Sequence, residues 1–139
     1  MSGPQAASGG LVVGVLGATG AVGSVVLDLL EERDFPAREI VPFASERSRG
    51  KSVTLANSMA EIRVPDEGTI QGVDVVISSA GGSVSEEWAP RFVEAGAVVV
   101  DNTSFWRMHE DVPLIVPEVN ADATFPEDPT GEHRPTVRP

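Results

Sequence analysis

Residues 11–23 constrain the fold of this chain more than any other stretch. Leu11 to Leu16 form an apolar run without alternation, which is typical of a strand buried on both faces of a parallel sheet. Gly17, Gly20 and Gly23 follow at a spacing of three residues. We therefore predict a strand, a tight glycine turn and then a helix, which is the arrangement that a dinucleotide-binding loop requires.

Each glycine has a physical role in such a loop. Gly17 lets the chain turn sharply off the strand, Gly20 lets a pyrophosphate approach the backbone, and Gly23 lets the helix pack closely. The first turn of the helix and the Thr19 hydroxyl add donors for phosphate. The spacing is G-x-x-G-x-x-G rather than the commoner G-x-G-x-x-G, so a glycine turn that binds nothing remains an alternative.

The helix that follows is predicted to be amphipathic. Its apolar residues recur at the spacing of one helical face, and we expect that face to be buried. They are Val22, Val25, Val26, Leu29 and Leu30.

Length and pattern indicate a single α/β domain. The chain has 139 residues, enough for one core, and strand-like and helix-like segments alternate along it. We predict a Rossmann-like, doubly wound, mainly parallel sheet that is incomplete at its C-terminus. The expected layout is a flexible tail at 1–10, an NAD(P)-binding domain at 11–121 and an irregular or disordered tail at 122–139.

Composition excludes several functional classes. The net charge of −11 argues against a nucleic-acid-binding face. The absence of cysteine excludes a disulfide, a thiolate nucleophile and a cysteine metal site within these residues. His109 and His133 lack partners at metal-ligand spacing, so we predict surface histidines and no metal. The apolar runs are too short for a bilayer and residues 1–10 do not resemble a signal peptide, so we expect no membrane partner and a cytoplasmic location.

Further strands and one further helix are predicted along the chain. Ser83 and Glu86 have capping-box spacing, which predicts a helix from there to Ala95 that Gly96 ends. Trp88 on this helix is interpreted as a core residue rather than a ligand contact. Strands are predicted at 39–44, 73–78 and 97–101, with shorter candidates at 52–55, 62–64 and 112–116.

The loop after the second strand indicates the type of dinucleotide. An NAD site usually carries an acidic residue there, whereas this chain has Ala44. Ser45, Arg47 and Ser48 follow, and a guanidinium with two hydroxyls suits a 2′-phosphate. Glu46 is evidence against this interpretation, and a solvated charged loop is the alternative.

A second polar loop follows the strand that ends near Asp101. The Asn102 amide, two hydroxyls and Arg107 could present donors to an anion. The alternative is a turn in which Asn102 and Ser104 cap their own backbone.

Taken together, these motifs resemble the N-terminal part of the aspartate-semialdehyde dehydrogenase family. The resemblance covers residues 11 to about 123 and follows the family's motif order. The matching segments are Gly17-Ala-Thr-Gly-Ala-Val-Gly23, Phe43-Ala-Ser-Glu-Arg-Ser-Arg-Gly-Lys51, Ser79-Ala-Gly-Gly-Ser83, Asp101-Asn-Thr-Ser104 with Arg107, and Val112-Pro-Leu-Ile-Val-Pro-Glu-Val-Asn120.

The resemblance implies an NADP-dependent oxidoreductase that reduces aspartyl phosphate to aspartate semialdehyde, with release of phosphate. Such an enzyme serves lysine (diaminopimelate), threonine and methionine biosynthesis. By motif, Gly17 and the segment Thr19, Gly20, Ala21 and Val22 would contact the pyrophosphate. The 2′-phosphate would bind Ser45, Arg47 and Ser48; Ala80 and Gly81 would line the cleft, with Asn102 near its nicotinamide end. Arg107 would bind the substrate phosphate.

The chain departs from the family pattern after residue 120. The family's catalytic cysteine lies in an Asn-Pro-Asn-Cys segment that this chain lacks, as it lacks the substrate-binding second domain. We therefore expect either an N-terminal fragment or the product of a reading frame that ends early, inactive alone, with a homodimer only when the second domain is present. Two alternatives stay open: a non-catalytic NADP-binding module and an enzyme of the N-acetyl-glutamyl-phosphate reductase type.

Overall fold

The computed structural model describes residues 9–55, 58–121 and 137–138. Its elements, in chain order, are β1 (Leu11–Leu16), α1 (Ala21–Glu32), β2 (Ala37–Phe43), a 3₁₀ turn (Glu46–Ser48), β3 (Ser52–Thr54), β4 (Met59–Glu61), β5 (Val75–Ser78), α2 (Gly82–Glu94), β6 (Val98–Asp101), α3 (Pro117–Asn120) and β7 (Val137–Arg138).

The main sheet of the described residues has five parallel strands in the order β2-β1-β5-β6-β7. β3 and β4 pair antiparallel in a separate two-stranded sheet. The predicted α/β class, with a mainly parallel Rossmann-like sheet, is confirmed. None of the helices in this described part is long and apolar enough to cross a membrane.

The sheet is covered on its two faces by different helices. Successive residues of β1 point to opposite faces, so Val12 and Leu16 join a core with Phe92 of α2. Val13 and Val15 join a second core with residues of α1. This two-sided burial explains why β1 is a continuous apolar run rather than an alternating one.

Helix α1 buries a face that overlaps only partly with the one predicted: Leu30 is buried and Val26 packs against the core, as expected, but Val22 and Val25 do not. Gly23, Leu27 and Leu30 are its buried residues, whereas Val22 is 49% exposed and Val25 54% exposed. A Cβ on Gly23 would lie 2.1 Å from the Gly17 carbonyl oxygen. This close approach sets the rotation of the helix, because Gly23 must face the loop and Leu27 and Leu30 lie on the same side.

Strand β2 contains Pro42, which would remove a hydrogen-bond donor from a central strand. β2 is an edge strand of the main sheet, and the Pro42 carbonyl accepts a bond from the Arg63 N–H at 2.9 Å on the side away from β1. The nitrogen of a residue in a strand faces the same side as its carbonyl, so Pro42 costs the β1 ladder nothing.

The shorter predicted strands were only partly right. In segment 62–64, Arg63 makes an isolated bridge to Phe43, and the strand partner of β3 is Met59–Glu61, which had not been predicted. Residues 112–116 form no strand; their chain leads into the short helix α3. Two apolar residues of this segment are largely exposed, Leu114 at 53% and Val116 at 45%.

Helix α2 begins one residue before the predicted capping residue. Its N-cap is Gly81, with φ 95°, and no side chain caps its first turn. The prediction of Ser83 as a cap was therefore wrong, because a glycine at positive φ already turns the chain into the helix. Gly96, with φ 100°, ends the helix as predicted, and Ala97 N–H bonds the Phe92 carbonyl at 2.9 Å.

The predicted tails fall mostly outside the described residues. This holds for residues 1–8, 122–136 and 139. Val137 and Arg138 lie in the segment predicted to be irregular, yet they pair in parallel with Val99 and Val100 as β7. The strand β6 would otherwise present an open edge, and a β-branched residue suits pairing with it.

Candidate functional site

A cleft of about 410 Å³ opens at the carboxyl ends of three strands. The chain runs from β1 to β2 on one side and later returns to β5 on the other side, so strand order reverses at β1. Ligands of open α/β sheets bind at such a reversal. The lining residues are Leu16, Gly17, Thr19, Gly20, Ala44, Ser45, Val64, Pro65, Ser79, Ala80, Val84 and Trp88.

Backbone hydrogen bonds tie the three strand ends into one rim. The Phe43 carbonyl at the end of β2 accepts bonds from Gly17 N–H and Ala18 N–H, at 3.0 and 3.1 Å. The Leu16 carbonyl accepts a bond from Ser79 N–H at 3.0 Å. The glycine loop is thereby held between the loops that follow β2 and β5.

Two of the three loop glycines are required by the protein itself. Gly17 has φ 88°, and a Cβ there would lie 2.9 Å from the Ala80 backbone. Gly23 packs against Gly17, as described for α1. The predicted roles of these two residues in turning the chain and packing the helix are confirmed.

Gly20 is different, because the fold does not require a glycine there. Its backbone is extended, with φ −79° and ψ 170°. A Cβ would meet nothing closer than the Gly17 carbonyl oxygen at 3.4 Å, which is an ordinary contact. Gly20 lines the cleft, so the space that a side chain would take is space in the cleft.

The cleft also presents donors that have no partner in the described residues. Both α1 and α2 begin at a glycine N-cap, Gly20 and Gly81, and neither has a side-chain cap. Their first-turn N–H groups carry the partial positive charge of a helix N-terminus. The buried Ser79 hydroxyl in the cleft wall makes no hydrogen bond either. These helix N–H groups and the Ser79 hydroxyl together suit a ligand that carries phosphate and other hydrogen-bonding groups.

The loop after β2 forms a 3₁₀ turn in which Glu46 is paired. The Arg49 Nε and Nη2 atoms donate to the two Glu46 carboxylate oxygens at 2.6 and 2.8 Å. These bonds hold the pKa of Glu46 below its ordinary value and raise the pKa of Arg49. No described residue pairs with the exposed Arg47 guanidinium. The carboxylate that argued against an anion site is therefore neutralised within the loop.

The loop after β6 is anchored by a buried carboxyl group. Asp101 is fully buried and accepts bonds from Thr103 N–H at 2.6 Å and from the Ser85 hydroxyl of α2. The Trp106 indole donates to the Ser85 oxygen at 2.8 Å. Thus Asp101, rather than Asn102 or Ser104, organises this turn, which leaves the Asn102 side chain exposed and without a described partner.

The structure brings some of the predicted binding residues together in the lining of the cleft, and others lie outside that lining. The cleft lining includes Gly17, Thr19, Gly20, Ser45 and Ala80. The others open a helix or lie on an adjoining loop: Ala21 and Val22 at the start of α1, Gly81 at the cap of α2, Arg47 and Ser48 on the 3₁₀ turn, and Asn102 and Arg107 after β6.

Sequence reasoning missed several wall residues. Val64 and Pro65 reach the cleft because the neighbouring Arg63 pairs with Phe43, a non-local contact that no local pattern predicts. Trp88 packs partly against the core, as predicted, and also lines the cleft. The only sequence signal that could have predicted Trp88 in the cleft wall is its position one helical turn beyond Val84 on α2.

His109 lies outside the cleft lining. It is exposed, as predicted, and its ring packs against Phe105 and Trp106 at centroid distances of 5.2 and 4.9 Å. His133 lies outside the described residues. Within the described ranges no cluster of three or more His, Asp or Glu residues is placed to hold a metal.

Comparison with known proteins adds a family to this geometry. The family model described as semialdehyde dehydrogenase, NAD binding domain, matches residues 12–125. The aspartate-semialdehyde dehydrogenase of Aquifex aeolicus is 50% identical over 114 residues, covering 81% of this chain and 34% of that protein. That of Synechocystis sp. is 48% identical over 111 residues, covering 80% and 33%. This chain spans about a third of the length of these curated relatives.

Solved structures agree with the sequence matches. The crystal structure of aspartate semialdehyde dehydrogenase II from Vibrio cholerae, complexed with ASA, superposes with a TM-score of 0.78 at 45% identity, covering 84% of this chain and 34% of that one. Aspartate semialdehyde dehydrogenase with NADP from Candida albicans superposes with a TM-score of 0.63 at 25% identity, covering 92% and 41%.

Proposed function

The chain belongs to the semialdehyde dehydrogenase family of NAD-binding domains, as its motifs predicted, and on that premise we propose that it is the NADP-binding part of an aspartate-semialdehyde dehydrogenase. The domain that defines this family binds a nicotinamide dinucleotide. NADP rather than NAD, and aspartyl phosphate as the substrate that is reduced to aspartate semialdehyde and phosphate, are the finer parts of the proposal. The substrate follows the names of the relatives.

The main support for the proposed binding site is that the fold does not require a glycine at position 20. A Cβ at this position would meet no described atom closer than the Gly17 carbonyl oxygen at 3.4 Å, and Gly20 itself lines the cleft. A glycine that the fold does not need is explained by a ligand whose backbone approach leaves no room for a Cβ, and a pyrophosphate makes that approach.

The proposed pyrophosphate site consists of Gly17 and residues 19–22. Their N–H groups and the Thr19 hydroxyl would donate to phosphate oxygens at the start of α1. Ala80 and Gly81 would border the dinucleotide on the β5 side, and Asn102 would lie toward its nicotinamide end. The bound dinucleotide supplies hydride transfer, and this chain's residues supply position and charge.

The 2′-phosphate of NADP is assigned to Ser45, Arg47 and Ser48. Ser45 lines the cleft, and Arg47, whose guanidinium pairs with no described residue, follows two residues later. A guanidinium presents a planar fork of donors that matches a phosphate. NAD offers only a ribose hydroxyl at this position, so the same residues would bind it less tightly.

The substrate phosphate is assigned to Arg107, which is exposed on the loop after β6. The chain contains no cysteine, and the resemblance implies a cysteine thioester as the intermediate. The role we propose for these 139 residues alone is therefore nucleotide binding without turnover. Homodimer formation is proposed for the full-length enzyme.

Calorimetric titration with NADP and NAD tests the cofactor proposal. We expect NADP to bind more tightly, and Arg47→Ala to weaken NADP binding by roughly tenfold or more while NAD binding changes little, since a hydrogen bond to a charged group contributes about 1.5 kcal/mol or more. Arg38→Ala is the matched control, because Arg38 is exposed at the amino end of β2, opposite the cleft. Equal affinities of the wild-type chain for both dinucleotides would refute NADP specificity.

A further inference from the structure

The 3₁₀ turn after β2 holds a charge arrangement that the assigned binding residues do not explain. Glu46 and Arg49 form a bidentate ion pair, although both side chains are more than half exposed, at 70% and 58%. Ion pairs this exposed contribute little to stability. The larger effect of the pair is on the charge that the loop presents to a ligand.

Glu46 occupies a position at which a free carboxylate would change cofactor choice. It follows Ser45 of the cleft wall directly and is the third residue beyond the end of β2. Acidic residues near the end of this strand in dinucleotide-binding folds accept hydrogen bonds from the ribose hydroxyls of NAD. The same negative charge would repel the 2′-phosphate of NADP.

The turn geometry keeps the Glu46 carboxylate away from Arg47. A 3₁₀ helix has about three residues per turn, so residues three apart lie above one another on one side. Glu46 and Arg49 have this spacing, and the turn is closed by backbone bonds from Ser48 N–H to the Ser45 carbonyl at 2.9 Å and from Arg49 N–H to the Glu46 carbonyl at 3.1 Å. Both carboxylate oxygens are taken up by Arg49. Arg47 projects from a different side of the turn.

A neighbouring carboxylate does not compete strongly for Arg49. Asp66 is the other acidic group whose charge acts on Arg49. Its Oδ1 atom already accepts bonds from Gly68 N–H and Thr69 N–H at 2.8 and 2.7 Å, and these bonds lower the pKa of Asp66. Arg49 is thus left to neutralise Glu46.

We propose that Arg49 is a specificity-determining residue that acts through Glu46. By holding the Glu46 carboxylate in a bidentate pair, it removes the negative charge that would otherwise oppose a 2′-phosphate at Ser45 and Arg47. The inference rests on the proposed NADP site and adds a residue that does not itself need to contact the dinucleotide. Arg49 is a positioning residue, and its loss shifts preference from NADP toward NAD.

Double-mutant calorimetry with NADP and NAD tests this inference. Arg49→Ala is expected to weaken NADP binding by roughly three- to tenfold and to leave NAD binding unchanged or slightly stronger. In the Glu46→Gln/Arg49→Ala double variant, NADP affinity is expected to return to within about twofold of wild type. Glu46→Gln alone should change it little, because its charge is already neutralised. Arg49→Lys keeps the positive charge but loses the bidentate guanidinium, so its NADP affinity should lie between those of the wild type and Arg49→Ala. Arg38→Ala controls for the loss of a remote positive charge.

The possible results distinguish a failure of this inference from a failure of the proposed function. Unchanged NADP affinity in Arg49→Ala, with NADP still preferred by the wild type, overturns the role of Arg49 alone. Weakened binding that Glu46→Gln does not restore also overturns it, because Arg49 would then act by direct contact or by long-range charge. A wild-type chain that binds neither dinucleotide, or both equally, refutes the NADP site and this inference with it.

Discussion

Ser85 connects helix α2 to the loop after β6. Its hydroxyl lies in the buried face of α2, donates to the Asp101 carboxyl group at the end of β6 and accepts from the Trp106 indole. Asp101 also holds Thr103 N–H, so these few bonds fix the loop that carries Asn102 and Arg107. A buried network of this kind is stabilising only while every member has its partner.

Removing the Ser85 hydroxyl should therefore destabilise the domain. We expect Ser85→Ala to lower the free energy of unfolding by about 1–3 kcal/mol, because the Trp106 indole loses its acceptor and buried Asp101 loses a donor. Urea unfolding followed by circular dichroism measures the difference. Ser83→Ala is the matched control, since Ser83 is exposed and caps nothing, and a change within about 0.5 kcal/mol is expected.

The two variants also test the structure of the first turn of α2. If Ser83→Ala costs as much as Ser85→Ala, Ser83 is an N-cap and the assignment of Gly81 is wrong. Equal and negligible costs for both variants would contradict the buried network.

Helix α1 shows how one close contact overrides an apolar pattern. Val22, Val25 and Leu29 have the spacing of a buried stripe, yet the contact of Gly23 with the glycine loop turns the helix so that Leu27 and Leu30 face the sheet. The apolar spacing alone predicted a stripe that includes Val22 and Val25. The position of Gly17, against which Gly23 packs, depends on the three-dimensional structure and could not be obtained from that spacing.

Paired substitutions on α1 test this rotation. Leu27 is 2% exposed, so Leu27→Ala should cost about 2–5 kcal/mol by leaving a cavity in the core beneath α1. Val25 is 54% exposed, and Val25→Ala should change stability by no more than about 0.5 kcal/mol. Thermal and urea unfolding of the two variants give the comparison. If Val25→Ala destabilises the protein more than Leu27→Ala does, the buried face is the one predicted from the apolar stripe.

At the scale of the whole molecule, features determined by residues close together in sequence could be predicted, and features determined by distant residues could not. The strands around the glycine loop and the loop itself follow from contiguous residues, so they were predicted within a few positions. The cleft walls at Val64 and Pro65 depend on a bridge between Arg63 and Phe43, which no local pattern reveals. The Glu46 pair is local, but whether Arg47 or Arg49 takes the carboxylate is decided by the pitch of the 3₁₀ turn.

The proposed function depends most directly on a dinucleotide that approaches the backbone at Gly20. Calorimetric titration of NADP into the Gly20→Val chain tests this, with Ser24→Val, an exposed change further along α1, as the control. We predict that Gly20→Val loses NADP binding while the variant stays folded, with a melting temperature lowered by only several degrees, because the added Cβ lies 3.4 Å from the Gly17 carbonyl oxygen and valine is a poorer N-cap than glycine. Wild-type affinity for NADP in Gly20→Val would show that the glycine loop is only a turn and would contradict the proposed dinucleotide site.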